Sequence, residues 1–290
     1  MTSPRAVVVH RTTEYEELLA RHGTRGQAAF FLAGRGRGLD DLEAARSAQE
    51  EARSVVAAAI PADWRRAEVE RADLARFVFG PEDVVVVVGQ DGLVANVAKY
   101  LDGQVVVGIN PGRHAGVLVP HRPSECARLL ASIGRAPTMQ RTMVIIRTDD
   151  GQELTALNEI YVGQPTHQSA RYRIEVDGRT ERQSSSGLIV GTGTGSTGWC
   201  ASLQRGTEPS LPLPGAGDPE LVWFVREAWP SPSTGVSLAW GGLADGAELA
   251  LVVESDTLVA FGDGIESDRL TLGWGQRVTI ACADRMLRTL

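Results

Sequence analysis

Residues 83–88 read Asp-Val-Val-Val-Val-Val, an apolar run without alternation, followed at once by Gly89-Gln90-Asp91-Gly92. A strand with one wet face alternates polar and apolar side chains. An unbroken β-branched run instead belongs in a central strand covered on both faces, the usual situation in parallel α/β sheets. Arg5–His10 (RAVVVH), Gln27–Ala33 (QAAFFLA) and Gln104–Ile109 (QVVVGI) read as further strands of the same sheet. Thr13 and Glu16 have capping-box spacing for a helix that Gly23 would stop. Helices are expected over Leu39–Ala59, Ala62–Phe79 and Leu93–Leu101, the first two parted by Pro61. Such alternation predicts a doubly wound parallel sheet that binds ligands near its C-terminal strand ends.

After about Val119 the pattern changes. Ser124–Ile133 still reads as a helix, but from Thr142 the chain is strand after strand. The candidates are Thr142–Thr148, Glu153–Val162, Tyr172–Val176, Leu188–Gly191, Leu221–Val225, Glu248–Glu254 and Thr257–Phe261. Asp149-Asp150-Gly151 and Asp177-Gly178 are hairpin turns, and the Pro- and Gly-rich stretch Gly206–Pro219 reads as an exposed loop. The expected fold class is therefore α/β + β, an N-terminal doubly wound parallel α/β domain followed by an all-β domain. The active site is expected in the interdomain cleft. The expected boundaries are 1–120, with a C-terminal tail from about 274 to 290, for the first domain and 121–273 for the second.

Composition closes several functional classes. Net charge is −7, which disfavours a nucleic-acid footprint built on clustered cations. Lys99 is the sole lysine, and it stands in Val97-Ala98-Lys99-Tyr100 without a preceding glycine loop, which excludes a P-loop. A protein-kinase pattern fails for want of an His-Arg-Asp loop. Phosphates would have to be handled by arginines, backbone amides and metal. Cys126, Cys200 and Cys282 are too widely spaced for a disulfide framework or a zinc site, and the five histidines form no His-Glu-x-x-His motif. His114 and His121 lack partners at ligand spacing. No metal ligand is assigned. Without a membrane-length apolar run or a signal-peptide core, the expectation is a soluble cytoplasmic protein with no membrane partner.

Four segments carry chemistry worth weighing. The Gly89-Gln90-Asp91-Gly92 loop offers backbone amides and a helix N-terminus to an anion. Asp91 fits there as a general base or magnesium-linked carboxylate, or more blandly as a helix cap in a tight turn. Gly187–Gly198 (GLIVGTGTGSTG) alternates glycines with small hydroxylated residues after a strand, as a phosphate cradle would, and a flexible linker is the plain alternative. Residues 193–198 also match Gly-x-Gly-x-x-Gly, without the βαβ context that a dinucleotide fingerprint requires. Asn158-Glu159 interrupts an apolar strand, either as a ligand-binding pair or as an exposed edge position. Gly262–Asp268, with three acids, reads as an ordinary acidic turn. The basic Gly34–Gly38 segment reads as a solvated loop.

The order of these segments is more specific than any one of them. A Gly-x-Asp-Gly loop, Gly108-Ile109-Asn110-Pro111-Gly112-Arg113, Ala156-Leu157-Asn158-Glu159, Gly187-Leu188-Ile189-Val190, Thr194-Gly195-Ser196-Thr197 and a late Asp263-Gly264 follow one another. This series resembles the NAD kinase family, in the fold group of diacylglycerol and sphingosine kinases, from about Val84 to the C-terminus. The resemblance implies an α/β domain, a β-rich domain, and transfer of the ATP γ-phosphate (polyphosphate in some members) to the 2′-hydroxyl of NAD, giving NADP. ATP and Mg²⁺ are the implied cofactors, and a homodimer or homotetramer the implied assembly. Asp91 would be the catalytic base, with Gly89, Gln90 and Gly92 around the phosphates. Asn110, Asn158, Glu159, Ser186, Thr194, Gly195, Ser196, Thr197 and Trp199 would contact nucleotide.

Several positions depart from the family pattern. Gln90 replaces a glycine, Leu93 a threonine, Ser186 an aspartate and Gly193 a proline. Gly198-Trp199 replaces Ala-Tyr, and Val117 stands where phenylalanine is common. These changes keep two alternatives open: a kinase of the same mechanism for a different acceptor (a nucleoside, a sugar or a specialised metabolite), and a non-catalytic nucleotide-binding protein. A lipid kinase lacks the basic amphipathic face it would need.

Overall fold

The structure is a computed structural model that describes residues 3–112, 116–207 and 211–290. It divides into two compact units, Met1–Thr138 with Arg288–Leu290, and Met139–Leu287. The first is α/β and the second is built of strands.

In the first unit the elements are β1 (Arg5–His10), α1 (Glu14–His22), α2 (Arg25–Ala33), α3 (Asp40–Ala59), β2 (Arg65–Glu70), β3 (Asp83–Val88), α4 (Asp91–Ala98), β4 (Val105–Ile109) and α5 (Cys126–Ser132). The strands run parallel in the order β2-β1-β3-β4, and Arg288 and Thr289 pair parallel with Val105 and Val106 beyond β4. Every residue of β3 is buried, as its unbroken valine run requires. Ala52 and Val56 of α3, and Leu129 and Leu130 of α5, pack with Val84, Val86 and Val107 in one core. The capping box forms as read: the Glu16 amide donates to the Thr13 hydroxyl and the Thr13 amide to the Glu16 carboxylate, and Gly23 ends the helix at φ 78°.

Two sequence expectations fail here. Gln27–Ala33 is not a strand but most of α2, whose Thr24 hydroxyl accepts the Gln27 amide at 3.3 Å. Ala28 and Leu32, one helical turn apart, are its buried residues, while Phe30 is 83% exposed. So short an apolar run does not declare its period. The helix expected over Ala62–Phe79 is instead β2 and a 3₁₀ turn, Arg71–Arg76. Pairing with β1 overrides the helical composition, and the Glu70 carboxylate then fixes the strand end by accepting the Thr12 and Ala72 amides. The helix expected over Leu93–Leu101 is shorter and begins at Asp91. In place of one helix over Ser124–Ile133 there is a 3₁₀ turn, Pro123–Glu125, followed by α5.

The second unit contains β5 (Met139–Arg141), β6 (Val144–Thr148), β7 (Glu153–Ala156), β8 (Glu159–Gly163), β9 (Ala170–Val176) and β10 (Arg179–Ser185). It continues with β11 (Leu188–Gly191), α6 (Trp199–Gln204), β12 (Leu221–Val225), β13 (Trp240–Leu243), β14 (Leu249–Val253), β15 (Thr257–Gly262), β16 (Ile265–Gly273) and β17 (Arg277–Cys282). Two antiparallel sheets result, ordered β10-β9-β14-β17-β6-β7 and β13-β12-β11-β8-β15-β16. Their inner faces share one core, in which Ile146, Tyr172 and Leu251 of the first sheet meet Ile160, Val190, Trp223 and Leu258 of the second. The single strand expected over Glu153–Val162 is broken at Leu157-Asn158, and its halves belong to different sheets. The acidic stretch is a turn only at its start, with Asp263 and Gly264 at positive φ; Ile265 begins a strand. Strands β5, β10, β13, β16 and β17 were not among the sequence candidates. Among the described residues no helix is long and apolar enough to cross a membrane.

At the start of β1 the Arg5 guanidinium holds the buried Asp83 carboxylate through Nε at 2.9 Å and Nη2 at 2.5 Å, and Asp83 also accepts the Gly80 amide. Arg5→Ala strands that carboxylate and should destabilise the protein by about 3 kcal/mol in chemical denaturation. The double change Arg5→Ala/Asp83→Ala should cost less than Arg5→Ala alone. A double mutant that costs the sum of its parts would show that the pair contributes nothing specific.

Candidate functional site

The sequence candidates fall into two neighbourhoods, one in each unit. In the first, β3 ends at Val88 and the Gly89 amide donates to the Ile109 carbonyl at 3.0 Å, tying the loop to the end of β4. Gln90 is the N-cap residue of α4 and makes no side-chain cap. The backbone amides of Asp91 and Gly92 find no acceptor among the described residues, as the first turn of a helix leaves its N–H groups open. An anion is the natural partner for such amides. Leu93 is buried against Gly89, where a Cβ at position 89 would stand 2.9 Å from the leucine Cδ2.

The Asp91 carboxylate turns toward the segment after β4. Its Oδ1 accepts the amides of Leu118 at 2.9 Å and Val119 at 3.1 Å, and its Oδ2 accepts that of Val117 at 2.9 Å. Gly116 lies so close that a Cβ there would stand 2.0 Å from Oδ1. A carboxylate offers about four acceptor positions, so one remains open, on Oδ2. The bland reading of Asp91 as a helix cap is not what its side chain does, since it binds a different segment altogether. Asn110 follows β4 and accepts the Gly112 amide at 2.7 Å. It borders a cavity of about 590 Å³ with Glu51, Val55, Pro111 and Arg122. Arg113 and His114 lie outside the described residues.

In the second unit the break between β7 and β8 is held by a residue that sequence reading placed in an ordinary acidic turn. Asp263 accepts the Leu157 amide at 2.9 Å through Oδ2 and the Asn158 amide at 2.7 Å through Oδ1, and its own amide donates to the Glu159 carbonyl at 3.1 Å. From the other side the Thr192 amide donates to the Asn158 carbonyl at 2.9 Å, and its hydroxyl donates to the Leu157 carbonyl at 2.6 Å. That hydroxyl also accepts the Thr194 amide at 3.1 Å. The segment Thr192–Thr197 is thus folded against Asn158. Gly195 is required by this approach, because a Cβ there would meet the Asn158 carbonyl oxygen at 2.3 Å. This is a packed turn and not a flexible linker. Thr194 is buried, and its hydroxyl has no partner among the described residues.

Strand alternation puts Glu159 and Tyr161 on the outer face of their sheet, opposite Gly191 and Ile189 of β11. Burial, reinforced by the nearby Asp263 charge, pushes the Glu159 carboxyl up to about 7. Tyr161 donates to the Ser186 carbonyl at 3.0 Å, and its ring lies near parallel to Trp199, 6.2 Å between centroids and 17° between planes. Phe261 lies on its other side at 5.0 Å. The Cys200 thiol, pushed up to about 12 by burial and then by Glu159, is an inert packing group behind this face. Asn158, Glu159, Ser186, Thr194, Gly195, Ser196, Thr197 and Trp199 therefore share one neighbourhood. Sequence reading did not single out Thr192, Tyr161 or Arg226 beside them. Tyr161 was findable, as the next outward position after Glu159.

No family model matches the chain. It is 32% identical over 126 residues to the NAD kinase of Methanospirillum hungatei JF-1, covering 42% of this chain and 46% of that protein. It is 33% identical over 140 residues to the NAD kinase of Rickettsia peacockii, covering 45% and 52%, and 33% identical over 131 residues to that of Psychrobacter arcticus, covering 41% and 40%. The chain spans about half the length of the curated relatives it matches. These matches relate it to the NAD kinase family.

The raised Glu159 carboxyl has a consequence for stability. Between about pH 4.5 and pH 7 the folded protein keeps a proton that the unfolded chain releases, so this group's contribution falls as pH rises through that window. Glu159→Gln should remove roughly 2 kcal/mol of that pH dependence, allowing for partial solvent screening. Denaturation at pH 5 and pH 7 checks it, followed by fluorescence of the tryptophans, most of which lie in the second unit. Identical pH slopes for variant and parent would mean that Glu159 titrates as an ordinary carboxyl.

Proposed function

We propose that the protein is a NAD kinase-like phosphotransferase that moves the γ-phosphate of ATP to a ribose-type hydroxyl, most simply the 2′-hydroxyl of NAD. The observation that carries this reading is Asp91: a carboxylate fixed beside open helix amides, with one acceptor position left on Oδ2. In the proposed reaction the acceptor hydroxyl gives its proton to that position while its oxygen attacks the γ-phosphorus. The bond from phosphorus to the β–γ bridging oxygen breaks, and ADP leaves. Gly89, Gln90 and Gly92 line the donor phosphates, and the amides of Asp91 and Gly92 offset their charge. Asn110, Asn158, Glu159, Ser186, Thr194, Gly195, Ser196, Thr197 and Trp199 serve the nucleotides. The relationship to NAD kinases supports it, as does the order of the motifs.

Among the described residues no group of three His, Cys, Asp or Glu side chains gathers to hold a metal ion. A lone carboxylate among amides suits Mg²⁺ that arrives on the nucleotide phosphates, because that ion keeps several waters and needs few protein ligands. Asp91 is the side chain that would face it, and the ion would offset phosphate charge. A kinase with a different acceptor remains the second reading, favoured by Ser186 and Trp199 on the acceptor side. The proposed setting is a soluble cytoplasmic homodimer or homotetramer.

The test is NADP formation from ATP, Mg²⁺ and NAD by the purified protein. Asp91→Asn should lower kcat by at least about 100-fold, the ordinary contribution of a general base, with nucleotide Kd values within a few-fold of the parent. Unchanged turnover would remove Asp91 from the chemistry. ATP consumption only with other hydroxyl compounds would move the assignment to the second reading. On that reading Ser186→Asp should raise activity toward NAD, and no gain would exclude Ser186 as the cause.

A further inference from the structure

Ser186, Gly187 and Arg226 extend the β11–β12 ladder beyond its last paired strand residues. The Arg226 amide donates to the Gly187 carbonyl and the Ser186 amide to the Arg226 carbonyl, both at 2.8 Å. Counting along β12, Val222, Phe224 and Arg226 share a face, and Val222 and Phe224 pack with Cys200 in the cluster that α6 covers. The Arg226 guanidinium accordingly lies 5.5 Å from the Trp199 ring centroid, beside the Tyr161–Trp199 pair.

This guanidinium is set up for a partner that the chain does not supply. Its side chain is only 31% exposed, yet none of its five N–H groups donates a hydrogen bond among the described residues. Other arginines of the same unit are engaged: Arg182 with Glu254, and Arg173 and Arg277 with Glu175. The nearest carboxylate is the exposed Glu227 at 3.8 Å, too long for a hydrogen bond and worth little in water. Glu227 itself has φ 46°. Among the described residues the other two non-glycine residues with positive φ, Asp177 and Asp263, each precede the glycine of a tight turn, where that conformation is expected. Glu227 precedes Ala228, so turn chemistry does not account for its strain. Strain of this kind gathers at ligand sites.

We infer that the acceptor side of this protein takes a nucleotide whose planar ring carries a carboxylate, with the ring laid against Tyr161 and Trp199 and the carboxylate held by Arg226. This rests on the kinase reading above and narrows its substrate. Aromatic faces hold flat rings with little regard to substituents, whereas a planar fork of donors selects a carboxylate over a neutral carboxamide. Ser186 adds no negative charge to oppose it.

The experiment compares NAD with its counterpart bearing a pyridine carboxylate in place of the carboxamide, by calorimetric Kd and by turnover with ATP and Mg²⁺. The carboxylate form should bind about 10-fold more tightly to the parent protein, the discrimination expected of a charged hydrogen-bonded pair. In Arg226→Gln that ratio should fall to about one, with Arg226→Lys in between because lysine keeps the charge and loses the fork. Equal Kd values in the parent overturn the inference and leave kinase activity on NAD standing. Equal weakening of both ligands by Arg226→Gln also overturns it, assigning the arginine to the shared pyrophosphate. Selective binding of the carboxylate form without phosphoryl transfer keeps the inference and removes the kinase reading. Binding of neither ligand overturns both. A thermal melt of each variant keeps misfolding from being read as lost recognition.

Discussion

Where a chain leaves its ladder, backbone N–H groups lose their partners and must find others. In each candidate neighbourhood one carboxylate meets that need. Asp91 accepts three successive amides of residues 117–119, and Asp263 accepts the adjacent amides of Leu157 and Asn158. Charged acceptors make such bonds short and directional, so a loop with little core of its own is held in one shape. The cost is that the anchoring carboxylate is partly used up. Asp263 has given each of its oxygens to an amide, and its charge adds to the burial that keeps a proton on Glu159 toward neutral pH. Asp91 keeps one acceptor position, so anchoring and the proposed proton transfer would share the side chain only through Oδ2. Gly116 is the corollary, because nothing larger fits against the carboxylate in that arrangement.

The departures from the family pattern acquire separate physical meanings once the packing is known. Leu93 is a core residue that closes over Gly89, so a lost hydroxyl there is exchanged for apolar burial. Gln90 is exposed and caps nothing, which leaves the loop amides open to an anion. Gly193 is fixed by a close approach to the Gly215 carbonyl, where a Cβ would stand 1.7 Å away. Those three changes concern packing and the backbone. Ser186 and Trp199 are different, since they lie beside Tyr161 and Arg226 at the outer face of the sheet rather than in the core.

Much of this was legible in the sequence because it follows from local rules. The valine run of β3, the Thr13–Glu16 box and the Asp177-Gly178 hairpin each state their structure within a few residues. The elements misread were those decided by distant partners. Gln27–Ala33 is too short to show a period, and β2 exists because β1 offers it an edge. Two of the strands missed, Arg179–Ser185 and Ile265–Gly273, are polar edge strands in which charge masks the alternation. At the site, Asp91, Asn158, Glu159 and Asp263 could be named from motif order, while the amides that Asp91 and Asp263 anchor could not. A carboxylate binding amides about a hundred residues away leaves no spacing to detect.

Thr194 illustrates how the site's chemistry differs from its stability. Its neighbours Ser196 and Thr197 return their hydroxyls to backbone carbonyls of the same turn, at 3.1 and 3.0 Å, and Thr192 spends its own on the Leu157 carbonyl. Those three hydroxyls build the turn. The Thr194 hydroxyl is buried, as Thr192 is, and builds nothing, and an unpaired buried hydroxyl costs on the order of 1–3 kcal/mol. Of the turn's four hydroxyls it is the one without a partner among the described residues. The unfilled donors of Arg226, also on the second unit, follow the same logic. Among the described residues of the second unit, the Thr194 hydroxyl and the Arg226 guanidinium are left unmatched by the fold, as is the Trp223 indole N–H in the core, and the first two are the ones that the proposed function would turn toward a ligand.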